Sequence, residues 1–179
     1  MGVARKVLLP RLTVTEHAEP TDALAQLVAS SLEPYFARPL LIPGEHRRRD
    51  GKPGWAKHQF NLFPLVLDCD GIPWAEATVY LLARLDGHSR PNMASFSSIA
   101  DDLTAYRRFL DEHDLDWTVF GAHKLTRPTY RFNGYLKFAI RAGEIAATTA
   151  HRRIGSVIGY YRWLIAEGAL KVDHPPWKE

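Results

Sequence analysis

Apolar side chains recur at intervals of three and four residues along the second part of the chain, whereas proline repeatedly breaks the first part. Pro10, Pro20, Pro34, Pro39, Pro43, Pro53 and Pro64 interrupt any long period before residue 72. Within that stretch Asp22–Leu32 reads as one helix, with Thr21 as its N-cap and Pro34 past its end. Asn61–Asp68 reads as a short apolar strand closed by the turn pair Asp70-Gly71, and Pro64 inside it favours a sheet edge. From Pro73 the helical period takes over. Trp74, Ala77, Leu81, Leu82 and Leu85 share one face of a first helix, Trp74–Leu85, and a polar break follows to Asn92. Phe96, Ile99, Leu103, Tyr106 and Leu110 make the stripe of a second. A third starts after Thr126, with Pro128 in its first turn, and ends near Gly143. A fourth runs from about Thr148 to Glu167 and stops at Gly168, with Ile154, Val157, Ile158, Tyr161, Leu164 and Ile165 on one face. The expectation is a mainly α chain: a four-helix bundle over residues 73–179. A small irregular N-terminal extension, residues 1–72, carries one or two short β-strands.

With 179 residues, 46% hydrophobic and 24% charged, the chain has the balance of an ordinary folded domain with an extension. Cys69 is the lone cysteine, which excludes an internal disulfide and any cysteine-based zinc site. No signal-like or bilayer-length apolar run occurs, so a cytoplasmic protein with no membrane partner is expected.

A net charge of +3 is too mild to name a partner, but its distribution is uneven. Between residues 101 and 116, six acids face only Arg107 and Arg108. Between residues 117 and 162, Lys124, Arg127, Arg131, Lys137, Arg141, Arg152, Arg153 and Arg162 stand against the single acid Glu144, a net +7. Such a block attracts phosphates with an affinity that falls with salt; a merely solvated cationic face is the plainer alternative. On the fourth helix Thr149, Arg152, Arg153, Ser156 and Tyr160 form one stripe, expected to lie largely opposite the apolar face. Guanidinium forks, hydroxyls and an aromatic ring are the groups that meet phosphates and base edges in a major groove. Gly155 and Gly159 beside them either keep that surface low or admit a neighbouring helix.

Two segments, SFSSIADDLTAYRRFLDEHDLDW and IAATTAHRRIGSVIGYYRWLIAEG, stand in order with a short helix and loop between them. Together they resemble the N-terminal core-binding (SAM-like) domain of tyrosine recombinases, the phage integrase family. The lead-in LVLDCDGIPWAEATVYLLARL is similar to one integrase-like subgroup, and the likeness covers about Phe63 to Trp177. It implies a non-catalytic half of a clamp on double-stranded DNA, needing no cofactor. The implied partners are a downstream catalytic domain of the same protein and other recombinase subunits on the DNA. Carried over by position, the DNA contacts fall on Thr148, Thr149, Arg152 and Ser156, with Ser95, Ser97 and Ser98 as a second set. Arg153 and Tyr160 join them from the stripe, and Arg127 and Arg131 from their charge and position. The family's catalytic Arg, Lys, His and Tyr would belong to the domain expected after HPPWKE.

Other chemistries fit less of the sequence. LVLDCDGIP resembles the nucleophile loop of haloacid-dehalogenase-type phosphatases, with Asp101-Asp102 as a distal acidic pair, but that site requires a parallel sheet. An ordinary turn at Asp70-Gly71 explains the same residues. His46-Arg47-Arg48-Arg49 matches H-x-x-R literally within a Pro/Gly-rich stretch that reads as a surface loop. Arg47, Arg48, Arg49, Lys52 and Lys57 would make it an auxiliary phosphate-contacting loop. The histidines show no metal-ligand spacing, and no phosphate-cradling glycine loop occurs. A helical protein-interaction or transcription-regulator module remains the alternative, since a basic face also docks acidic proteins.

Overall fold

Four amphipathic segments become helices where their caps and breakers place them. The structure, a computed structural model, describes residues 2–14, 43–47, 53–55, 58–85 and 92–177. The helices are α1 (Ala75–Ala83), α2 (Met93–Glu112), α3 (Pro128–Arg141) and α4 (Ala147–Ala166), with a 3-10 turn at Lys124–Thr126. Asn92 caps α2 by accepting from the Ala94 amide at 3.1 Å, and Pro128 opens α3 where its missing N–H costs nothing. Gly143 ends α3 at φ 74°: its own amide reaches the Ile140 carbonyl and that of Glu144 reaches Ala139, a Schellman closure. At the end of α2 the same left-handed step is taken by Asp114, at φ 49°.

Four strands are described: β1 (Arg5–Val14), β2 (Pro43–Arg47), β3 (Pro53–Trp55) and β4 (His58–Leu67). β1 neighbours β4 in one two-stranded sheet, and β2 pairs antiparallel with β3 in another, with an irregularity between Gly44 and Arg47. The fold is therefore mainly helical with small N-terminal strands. More of that N-terminal stretch is strand than the proline count suggests. Residues 5–14 join β4, and His46 and Arg47 lie in a strand, not the expected loop. The helix expected at Asp22–Leu32 lies outside the described residues, as do Arg48, Arg49, Lys52 and Lys57. The chain divides into two units, Met1–Leu8 with Pro64–Glu179, and Leu9–Phe63.

The core of the helical unit is aromatic. Tyr106, Tyr160, Tyr161, Phe132, Leu81, Leu103, Leu136 and Leu164 are fully enclosed. Buried phenols need partners: the Tyr106 and Tyr161 hydroxyls lie 2.8 Å apart, and Tyr161 donates to the Trp117 carbonyl at 2.7 Å. Loss of solvent raises the pKa of both, so both stay neutral.

Cross-helix partners give the directions. Ser98 and Asp102 of α2 meet Arg152 and Ser156 of α4, and Tyr106, one turn on, meets Tyr161. The two 20-residue helices therefore run parallel, with both amino termini at one end of the bundle. The short link from α3 into α4 sets those two helices antiparallel and brings Arg141 to within a few residues of the start of α4. Arg127, just before α3, locks the opposite end. Its guanidinium donates to the carbonyls of Gly121, Ala122 and Pro175 at 2.7–2.8 Å, while the Thr129 hydroxyl donates to that of Pro176.

Candidate nucleic-acid interface

Two parallel helix starts, side by side, define the candidate surface. Neither α2 nor α4 carries an acidic residue in its first turn, and α4 has no side-chain cap at Ala146. The positive dipole ends of both helices therefore point the same way, and α4 adds first-turn N–H groups that no side chain caps, which suits a phosphate. Ser95, Ser98 and Thr148 are exposed there, and Thr149 is half-buried.

Asp102 joins the two helices beneath this surface. Its carboxylate is buried and accepts from Arg152 Nη1 at 2.9 Å and from the Ser156 hydroxyl at 2.7 Å. Arg152 also donates to the Ser98 carbonyl at 3.0 Å, yet 47% of its side chain stays in solvent. Burial pushes the Asp102 carboxyl upward; the Ser156 hydrogen bond and the charges of Arg152 and Arg153 pull it back. Arg153 is half-buried, with an enclosed Nε that has no hydrogen-bond partner among the described residues.

Two expected contact residues are corrected. Tyr160 is fully buried, its ring packed edge-on against Trp74 and Tyr80, and cannot reach a ligand. Arg127 is likewise buried, and its fork is spent on backbone carbonyls. The stripe is also rotated from the position expected. On a 3.6-residue helix its centre lies only about 80° from that of the buried positions Ala150, Val157, Tyr160, Tyr161 and Leu164, not opposite them. Its polar members therefore face the flank of α2, and Ser156 serves Asp102. The outward face of α4 near its start instead carries Thr148, His151, Arg152 and Gly155. The two glycines separate: an added Cβ at Gly159 would lie 3.2 Å from the Tyr80 hydroxyl, whereas Gly155 faces open space.

Lys6 is a participant that sequence reasoning missed. From β1 it donates to the Ser97 hydroxyl at 2.7 Å and pairs with Asp101 at 2.7 Å. Ser97 is thus engaged from within the protein. A separation of 91 positions leaves no local signal of this contact. Arg141 was missed too, though its place at the end of α3, a few residues before α4, was readable.

The charge block disperses once folded. Arg127 is internal, Arg152 and Arg153 flank Asp102, and Arg162 lies over the Trp177 ring at 5.4 Å. Arg131, Lys137 and Arg141 remain along α3, where no acid accompanies them. The acids gather at the carboxy-terminal end of α2, where Asp111 pairs with Arg107 at 2.9 Å.

The phosphatase-like loop is organised as a turn. Asp68 Oδ1 accepts the amides of Asp70 and Ile72 at 3.0 and 2.9 Å, and Gly71 takes φ 82°. The chain beyond it builds helices, with no strand after Leu67 among the described residues to make the sheet such a site requires. No helix among those residues is long and apolar enough to cross a membrane. Comparison with protein-family models, curated proteins and solved structures gives no match.

Proposed function

We infer that this chain binds double-stranded DNA as the helical core-binding part of a tyrosine-recombinase-type protein, holding the duplex for a catalytic domain elsewhere in that protein. The observation that carries this reading is the pair of parallel, acid-free helix starts, flanked by Arg152 and Arg141. Backbone amides and the hydroxyls of Ser95, Ser98 and Thr148 hold phosphates, and the outward first turns of α4 approach the groove. The module performs positioning, not chemistry, and other subunits on the same DNA complete the assembly.

A protein-docking module is the second reading. It draws on Tyr160 and Arg127 being internal and Arg152 being partly neutralised by Asp102, which leave fewer free cations on α4 than a groove-reading helix usually presents. Titrating labelled duplexes of related and scrambled sequence at several salt concentrations separates the two. A DNA binder loses affinity log-linearly with salt, at a slope near −0.9 per phosphate held. A flat, weak response on every duplex would overturn the DNA reading.

A further inference from the structure

The cations left over after folding lie on α3 beside aromatic rings that the core does not use. Phe138 is 67% exposed and Tyr135 39% exposed, on a helix otherwise well packed. With Phe109, His113, Arg131 and Gly134 they line an open groove of ≈ 330 Å³. Tyr135 is braced from behind, its ring centroid 5.3 Å from Phe109 and 6.3 Å from His113. Gly134 lines the groove one turn before Phe138, and a Cβ built there meets nothing within 4 Å. Packing therefore does not require a glycine at a mid-helix position, where it costs stability relative to alanine. What it leaves is a flat notch. Arg131, Lys137 and Arg141 border the same outward face, spread over about 15 Å of helix axis.

We propose that the outer face of α3 is a stacking shelf for an unpaired nucleic-acid strand. Bases lie on Phe138 and Tyr135 beside the Gly134 notch, and Arg131, Lys137 and Arg141 hold the phosphates. Exposed ring faces accept any base, and cations alongside track a backbone. Charge complementarity selects this occupant: no acid stands on α3 to repel phosphate. The exposed acids of the region, Glu112 and Asp114, flank His113, which lines the groove from the end of α2, so the three cations of α3 outnumber them. The shelf shares Arg141 with the duplex surface at the starts of α2 and α4, but its rings and Gly134 lie outside that surface, so each can fail without the other.

The test uses the whole chain with a fluorescent oligothymidylate and, separately, a duplex. The strand should bind, a 5-iodouracil version should crosslink to Tyr135 or Phe138, and Phe138→Leu should weaken strand binding roughly five- to hundredfold. Leucine keeps apolar area while removing the π face, so a surface that merely docks a protein would tolerate it. Gly134→Ala should raise the melting temperature yet lower strand affinity, a split that a structural role alone would not produce. Duplex affinity should be unmoved by either change. Absence of strand binding, a Phe138→Leu variant equal to the parent, or self-association that this variant abolishes would each overturn the proposal. If the strand binds and the duplex does not, the shelf stands and the duplex reading falls.

Discussion

Stability and DNA binding should respond in opposite directions to carboxylates placed at the two helix starts. Ser95 is the third residue of α2 and Thr148 the second of α4, both exposed, so Ser95→Glu with Thr148→Asp disturbs no packing. A carboxylate in a first turn stabilises a helix by about 0.3–1 kcal/mol, and a glutamate three residues after the Asn92 cap completes a capping-box-like arrangement. Two such changes should add about 1 kcal/mol, a rise of roughly 3 °C in melting temperature for a unit of this size. Against DNA the sign reverses. A carboxylate about 6 Å from a phosphate is repelled by about 0.7 kcal/mol at the dielectric constant of water and by about 3 kcal/mol at the effective value near a protein surface. The pair should therefore weaken duplex binding at least tenfold and flatten its salt dependence, as read by anisotropy titration. Lysines at the same positions should invert both effects. A double-acid variant that melts higher and still binds duplex like the parent would refute the assignment of this surface, with no ambiguity from misfolding.

Three further changes probe the supports of that surface. Arg127→Ala strips three backbone carbonyls of their donor and should cost about 3 kcal/mol or more in urea unfolding; Arg127→Lys should rescue little, because an ammonium cannot span three carbonyls in one plane. The Asp102 carboxyl is raised by burial, so the folded protein holds this proton more tightly than the unfolded chain. Its contribution to stability is greatest in acid and is lost as pH rises from the ordinary carboxylate value through the raised one. Asp102→Asn should therefore flatten that limb of the stability–pH curve. By releasing Arg152 it should also tighten duplex binding, with a salt slope steeper by about 0.9; weaker binding would mean that Asp102 positions Arg152. Tyr161→Phe leaves the Trp117 carbonyl without its donor and should cost about 1–3 kcal/mol at equilibrium, with no change in DNA affinity while folded.

The helices were legible because their signals are local. Pro128 and the glycines at 143 and 168 mark ends that the structure places within a residue or two of those expected. A three-four apolar period survives the choice of any neighbour, so it reports element type directly. Strand content was less legible. β1 and β4 find each other across more than forty intervening positions, and a strand with one solvated face and a proline inside has no strong signature of its own. Asp114 ends α2 in a conformation that glycine usually supplies, so the sequence there shows no stop.

The binding surface was half legible, for a reason that lies in α4 itself. Spacing shows that Thr149, Arg152, Arg153, Ser156 and Tyr160 share a face, but not which way that face turns. Polar residues on a surface helix ordinarily point outward, yet one buried carboxylate on α2 changes the balance: a charge removed from water must be met by donors, and Arg152 and Ser156 turn towards α2 to meet it. The phase of α4 then leaves its last stripe member, Tyr160, in the core, where Trp74, Tyr80 and Trp117 enclose it. The Asp102 that sets this phase stands in the sequence beside an identical Asp101, and no local signal separates the two. Its partner Asp101 does face solvent and holds Lys6, so adjacent identical residues play opposite parts across the helix surface. Helical period thus tells which residues act together, and only the buried charge tells where they look. The same accounting leaves the cations of α3 without acidic partners on their own helix, which is why the second surface emerges there.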